Sequence, residues 1–423
     1  MFQKTTLKNG LRVLTSSIPG AFSVGISVLV GAGSRYENSE NNGISHFLEH
    51  MLFRGTKKRP SEEKIANSIE GIGGIISAWT GKEAVCYWVK VPKEKTKIGF
   101  EIISDMIFNS KLDVIEIEKE KGTVIQEINR RRDMPDGCSW ELVYKTMWSG
   151  YPLGQSVLGT KENIKNLSRE AIIEYMNYLY LPGNMVVSAA GDIEHKKLVG
   201  FAEEFFGKKA VSKKIKFLSI KETQKEPRIA LEFRETKQTH LALGIKAFHN
   251  NHPDKSVLRV INSLLGIGCS SRLYLNIRSK KGLAYVIGSS VDYFQDTGSL
   301  IIITGVKNEK TELAVKEIIK ELKRLKTESV KSSELEKAKE KLKGRLLFKI
   351  ESPAERADWL GLQELLQPKV LSLKEILAKI NAVTPQDIKR VSNDLFKSQR
   401  LNLAIVGPHN DKTNLQDILK KID

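Results

Sequence analysis

The chain has 423 residues, of which 40% are hydrophobic and 28% charged, with a formal net charge of +18. This is the size and make-up of a soluble globular protein with two or more domains, and no apolar run is long enough to span a bilayer. The lysines are spread along the chain and interleaved with glutamate, as over 307–341, without an aromatic-studded basic stripe, so the charge describes a solvated surface and not a nucleic-acid groove.

Cys86, Cys138 and Cys269 are too few and too far apart for a disulfide framework. The first ten residues lack the apolar core of a secretory signal and the Arg-rich, acid-poor character of a transit peptide. A reducing cytoplasm is the expected compartment, with no membrane partner.

From the N-terminus, Asn9-Gly10 between Leu7 and Leu11 predicts a tight type I′ hairpin. Residues 11–16 and 23–31 read as strands on either side of Pro19-Gly20, and a Gly- and Asn-rich loop over 31–43 follows. The stretch 42–55 then holds His46, Glu49 and His50 in the order H-x-x-E-H. On a helix His46 and His50 stand one turn apart on one face, roughly 5–6 Å apart at Cβ, so both imidazoles reach one small cation. Glu49, on the same side, reaches a water on that cation. Two neutral imidazoles and a carboxylate suit Zn²⁺ with a fourth position left to water, and this order is the inverzincin pattern. A His pair on an apolar helix is often only packed or solvated. Here the chain has seven histidines, and two of them fall at this spacing with a Glu placed as a base.

A second helix is expected over 61–69. Residues 71–91 read as a glycine-led turn and one or two strands. A strand close to a metal site can pair with an extended peptide through its backbone, although an ordinary sheet strand fits the same residues. Helices follow over 96–108 and from the capping box at Asp113–Glu116. The latter carries Glu120 and Glu127, two turns apart, with Val124 between them on the same face. Both carboxylates are candidates for the further ligand that a two-His site needs. Residues 162–179 are mostly helical, 184–192 form a buried strand, and 196–206 form a helix.

Residues 208–228 are rich in Lys and Glu with little apolar periodicity, which predicts a linker. Beyond it the pattern returns. A strand over 239–248, a helix over 254–265 in place of the metal helix, strands over 285–306, helices over 308–326 and 332–348, and a closing strand over 401–407 repeat the first half in type. The division expected is a metal-binding domain over 1–210, a linker over 211–227, and a homologous domain over 228–423 that lacks H-x-x-E-H.

These residues resemble the pitrilysin, or insulinase, family of zinc metallopeptidases, and most nearly its bacterial members similar to the mitochondrial processing peptidase β subunit. The match runs through 43–56, through the segment 120–127, through 180–185 and Gly191-Asp192, and through 270–274 and 278–285 in the second half. In the family a glutamate follows the second histidine after about 76 intervening residues, which selects Glu127 as the third zinc ligand and leaves Glu120 to support the site from behind. The resemblance also implies that Arg278 and Tyr285 contact substrate and polarise the scissile carbonyl. Ser77, Ala78, Trp79 and Thr80 would hold the peptide backbone, and relatives often carry Asn where Ser77 stands. Gly266-Ile-Gly268 lies where the related non-catalytic processing subunit has a glycine-rich loop. The implied fold is α+β, with two duplicated α/β-roll domains, each a mixed, mainly antiparallel sheet with helices on one face. The implied function is a zinc metalloendopeptidase with one Zn²⁺ per chain and Glu49 as general base. It would cut peptides or unfolded segments inside a closed chamber formed by a homodimer, the Arg–Tyr pair coming from the other chain. A non-catalytic peptide-binding or scaffold subunit is the alternative.

Overall fold

The computed structural model describes residues 2–207 and 215–423, so 211–214 of the expected linker lie outside the described residues. Two sheets organise the chain. The first is built from β1 (Gln3–Thr6), β2 (Arg12–Ser17), β3 (Ser23–Val30), β4 (Ile75–Thr80), β5 (Val85–Pro92) and β6 (Met185–Gly191), in the spatial order β1-β2-β6-β3-β5-β4. The second contains β7 (Arg228–Phe233), β8 (Gln238–Ala247), β9 (Ala284–Tyr293), β10 (Gly298–Lys307) and β11 (Leu401–Gly407), in the order β7-β11-β8-β10-β9.

The duplication extends to strand direction. In the first sheet β2 runs parallel to β6, and β6-β3, β3-β5 and β5-β4 are antiparallel. In the second, β7 runs parallel to β11, and β11-β8, β8-β10 and β10-β9 are antiparallel. β4 and β9 therefore occupy equivalent edges, and β1 is an extra strand of the first sheet.

β3 explains why its sequence reads as an unbroken apolar run. Val24, Ile26, Val28 and Val30 join a core with Phe47, Leu48, Phe100, Met106 and Phe206 from helices on one face. Leu29 points the other way, to a smaller core with Leu14, Cys86, Val186 and Leu360. A strand buried on both faces has no polar side to alternate with.

The helix that covers this second face is Pro353–Leu366, from far along the chain, and it packs on β3, β6, β5 and β2. Its counterpart on the second sheet is Pro135–Met147, from the first half of the sequence, against β11, β8, β7 and β10. The chain accordingly groups into two compact units. One is Met1–Asn129, Gln155–Leu218 and Leu347–Ser372; the other is Arg130–Gly154, Ser219–Leu346 and Leu373–Asp423. Neither helix is foreseen in the sequence, and a single boundary at 211–227 does not separate these units, because each takes one helix from the opposite half.

The first hairpin forms, but not as a type I′ turn. Gly10 alone has a positive φ, 90°, and Asn9 does not. The Asn9 side chain is engaged elsewhere: its Nδ2 donates to the Phe206 carbonyl at 2.8 Å and its Oδ1 accepts from Leu11 N at 3.2 Å. Among the described residues no helix is long and apolar enough to cross a membrane.

Candidate metal centre

The helix Ile44–Leu52 carries the H-x-x-E-H residues. Ile44, Phe47, Leu48, Met51 and Leu52 are buried in the first core and fix which face is left for the polar residues. Gly43 starts the helix with φ 103°, a conformation that L side chains rarely adopt. The first backbone donors are met by a buried carboxylate from the preceding loop. Glu37 accepts from Gly43 N at 2.8 Å, from Ser45 N at 2.9 Å and from Asn42 Nδ2 at 2.8 Å. Burial raises the Glu37 pKa and these hydrogen bonds oppose the rise. A carboxylate at the positive end of a helix is the favourable pairing.

The helix Val114–Arg132 brings up Glu120 and Glu127 with Val124 buried between them. The two carboxylates reach the same histidine pair from different sides. Glu120 is almost wholly buried and its Oε1 accepts from His50 Nδ1 at 2.7 Å. With its Nδ1 proton committed there, neutral His50 presents the lone pair of Nε2. His50 Nε2 lies 3.2 Å from His46 Nε2, and Glu127 Oε2 lies 3.6 Å from His46 Nε2 and 3.8 Å from His50 Nε2. His46, His50 and Glu127 are a group able to hold a metal ion, with one atom from each within 4.8 Å of the others.

This donor set fits zinc. A tetrahedral ion with bonds of about 2.0–2.1 Å spaces its ligand atoms by roughly 3.3–3.4 Å. With both ring protons on Nδ1, two imidazole Nε2 atoms and a carboxylate oxygen at such distances turn three lone pairs toward one position. His46 is held in the neutral state that a metal needs: burial first, then the charge of His50, lowers its pKa to about 4. For His50 burial also acts downward, but the hydrogen bond and charge of Glu120 outweigh it, and the pKa is raised. The Glu127 side chain is 42% exposed against 10% for His46, so solvent reaches the cluster from the Glu127 side.

Glu49 stands on the same helix, half-buried, and its Oε2 accepts from the Thr80 hydroxyl. Burial raises the Glu49 pKa, partly countered by Thr80 and by the charge of His50. Thr80 ends β4, which among the described residues is an edge strand of the first sheet, and on which Ser77, Ala78 and Trp79 also stand, all partly exposed. Arg54, one turn beyond His50, pairs with Glu120 at 2.5 Å and also with Glu62. Sequence reasoning passes over Arg54 although its spacing from His50 is legible, and it gives Thr80 to substrate and not to Glu49.

Arg278 and Tyr285 belong to the other compact unit. The Arg278 guanidinium lies 4.7 Å from the Tyr274 ring centroid and 5.5 Å from that of Tyr285. Tyr285 is 76% exposed, free to meet another molecule, and it borders a cavity of about 380 Å³ with Trp140, His240 and Gly305.

The profile of Insulinase (Peptidase family M16) matches residues 12–161, and that of the Peptidase M16 inactive domain matches residues 166–342. The chain is 36% identical over 408 residues to the uncharacterized zinc protease YmxG of Bacillus subtilis, covering 96% of this chain and 98% of that one. An uncharacterized zinc protease of Rickettsia felis is 34% identical over 409 residues, covering 96% and 98%. Among solved structures, a protease from Helicobacter pylori superposes with a TM-score of 0.92 at 25% identity, covering 96% of this chain and 99% of that one.

Proposed function

This chain belongs to the insulinase family of zinc peptidases, and from that premise we propose that it is a zinc endopeptidase acting through His46, His50, Glu127 and Glu49. The observation that carries the reading is the convergence of His46 Nε2, His50 Nε2 and Glu127 Oε2 at 3.2–3.8 Å, in range of Glu49. His46, His50 and Glu127 would hold one Zn²⁺ per chain. A zinc ion bound there would supply Lewis acidity, bringing a water's ionisation toward neutral pH and polarising a carbonyl.

The remaining chemistry falls to side chains. Glu49 takes the proton of the attacking water on its carboxylate and delivers it to the leaving amine. Its partial burial supports that role, because a carboxylate made more basic is a better acceptor near neutral pH. Glu120 keeps the Nδ1 proton of His50 and so holds that ring in the ligating tautomer. The edge of β4 around Ser77–Thr80 receives the substrate as an added strand. Arg278 and Tyr285, supplied by the second chain of a homodimer, stabilise the oxyanion that develops in the transition state. A closed chamber formed by the pair admits peptides and unfolded segments. All three cysteines are free thiols, which supports a reducing compartment such as the cytoplasm.

The test uses the purified chain, its zinc content and a quenched peptide with and without chelator. The expected result is one zinc per chain and chelator-sensitive cleavage. Glu49→Gln should keep the metal and lose at least about 100-fold in kcat. A Glu49→Gln chain that cleaves as fast as the parent removes Glu49 from the mechanism, and peptide binding without zinc or turnover points to the scaffold alternative.

A further inference from the structure

Among the described residues Thr80 is the one side chain that hydrogen-bonds the Glu49 carboxylate. Glu49 is half-buried, so a lost partner is not freely replaced by water. Thr80 is anchored from the β5 side, while the outer edge of β4 carries no strand among the described residues. Thr80 pairs with Val85 on β5, and Gly81 N bonds the Ala84 carbonyl at 2.8 Å to close the turn that follows. That turn is tied to the loop ahead of the metal helix. Arg35 N donates to the Lys82 carbonyl at 2.9 Å, and the buried Arg35 guanidinium pairs with the buried Glu83. The approach is close enough that a Cβ on Gly33 would meet the Gly81 carbonyl oxygen at 2.4 Å. Branching at Cβ limits the rotamers of Thr80 and so fixes the direction of its hydroxyl.

We propose that Thr80 is the positioning residue for the Glu49 carboxylate, so that the edge strand that takes up an extended peptide also aims the base. This rests on the peptidase reading above and adds a coupling to it. One six-residue strand, β4, carries both the pairing edge and the hydroxyl, so a peptide that stiffens the end of β4 acts on the base as well. Binding along the strand is then expressed in kcat and not only in KM.

The test compares Thr80→Val, which keeps size and branching without the hydroxyl, with Thr80→Ser, which keeps the hydroxyl. In the zinc-loaded chain T80V should lower kcat on the order of 10- to 100-fold, with KM and zinc content within about twofold of the parent. T80S should stay within about threefold of the parent, and T80V should cost nothing further in a Glu49→Gln background. Crystal structures of the metal-free variants supply a readout that needs no turnover: the Glu49 carboxylate leaves its place in T80V and keeps it in T80S. Parental kcat in T80V, or T80S as slow as T80V, overturns the proposal. So does an unmoved carboxylate in T80V, whatever the rates. A parent chain that cleaves no peptide sinks the peptidase reading instead, and the position of Glu49 in the two structures then decides the Thr80 assignment by itself.

Discussion

His50 is gripped through its back. Its Nδ1 bonds the buried Glu120, and Glu120 is in turn paired with Arg54. The two bonds pull the Glu120 carboxyl below the ordinary range against the opposing effect of burial, so the group is ionised and the His50 ring cannot rotate without breaking a charge-assisted contact. Removing the carboxylate does two things in one direction. It frees the ring, and it leaves the Arg54 cation beside a site meant for another cation. Glu120→Ala should therefore weaken zinc binding by about 10- to 100-fold, read by competition against a chromogenic chelator. Unchanged affinity would mean that His50 is oriented by packing alone. His46, Glu49 and His50 stand out in the sequence because H-x-x-E-H on a helix is a local pattern. Glu127 and Glu120 read from their own helix as two equal candidates, since their spacing gives each the same face, and only the family resemblance separates them. The structure separates them by depth, with Glu120 buried behind His50 and Glu127 half open to solvent. Depth is set by packing across long sequence distances, as is the bond from Thr80 to Glu49.

At the scale of elements the same limit recurs. Most strands stand out as apolar runs, though β1 and β7 do not, and the helices before residue 350 mostly stand out by their period, whereas Leu373–Asn381, Pro385–Leu395 and Thr413–Lys420 are not foreseen. The helices Pro135–Met147 and Pro353–Leu366 do not stand out either, because each is buried against a sheet and needs no strongly polar face. Their seats are recorded in the sequence only as small residues whose reason lies far away along the chain. A Cβ on Gly25 of β3 would fall 2.4 Å from the backbone of Ala354, and one on Gly244 of β8 would fall 2.5 Å from Met147 Sδ. The first contact is with backbone, so the helix as a whole must lift. Gly25→Ala should cost about 1–3 kcal/mol or more, measured by denaturant unfolding. Gly122 is the control. It lies inside the Val114–Arg132 helix, and an added Cβ there meets nothing within 4 Å. Gly122→Ala should stabilise by up to about 1 kcal/mol through helix propensity. Equal effects at the two glycines would show that the close seating of the Pro353–Leu366 helix carries no energy.

At the scale of the whole molecule, the duplicated sheets have diverged in chemistry. The strand order and directions match, yet the first unit holds the His–His–Glu cluster and the second holds Arg278 and an exposed Tyr285. If the two sets act on one substrate from different chains of a homodimer, each lesion is repaired only by its partner. A chain bearing Glu49→Gln keeps a sound Tyr285, and a chain bearing Tyr285→Phe keeps a sound Glu49. Each homodimer is then defective at both sites. In a mixed dimer one site combines the intact Glu49 of one chain with the intact Tyr285 of the other, and the second site carries both lesions. Random reassociation of equal amounts makes half the dimers mixed, with one of two sites working, so about a quarter of the parental activity should return. Supply within a single chain predicts no recovery, because every site then carries one lesion. Mixing the two variants, dissociating and reassociating them, and following cleavage of the quenched peptide separates the arrangements. A recovery near one quarter also requires that chains pair in solution, so a sedimentation run on the same mixture must give the mass of a dimer.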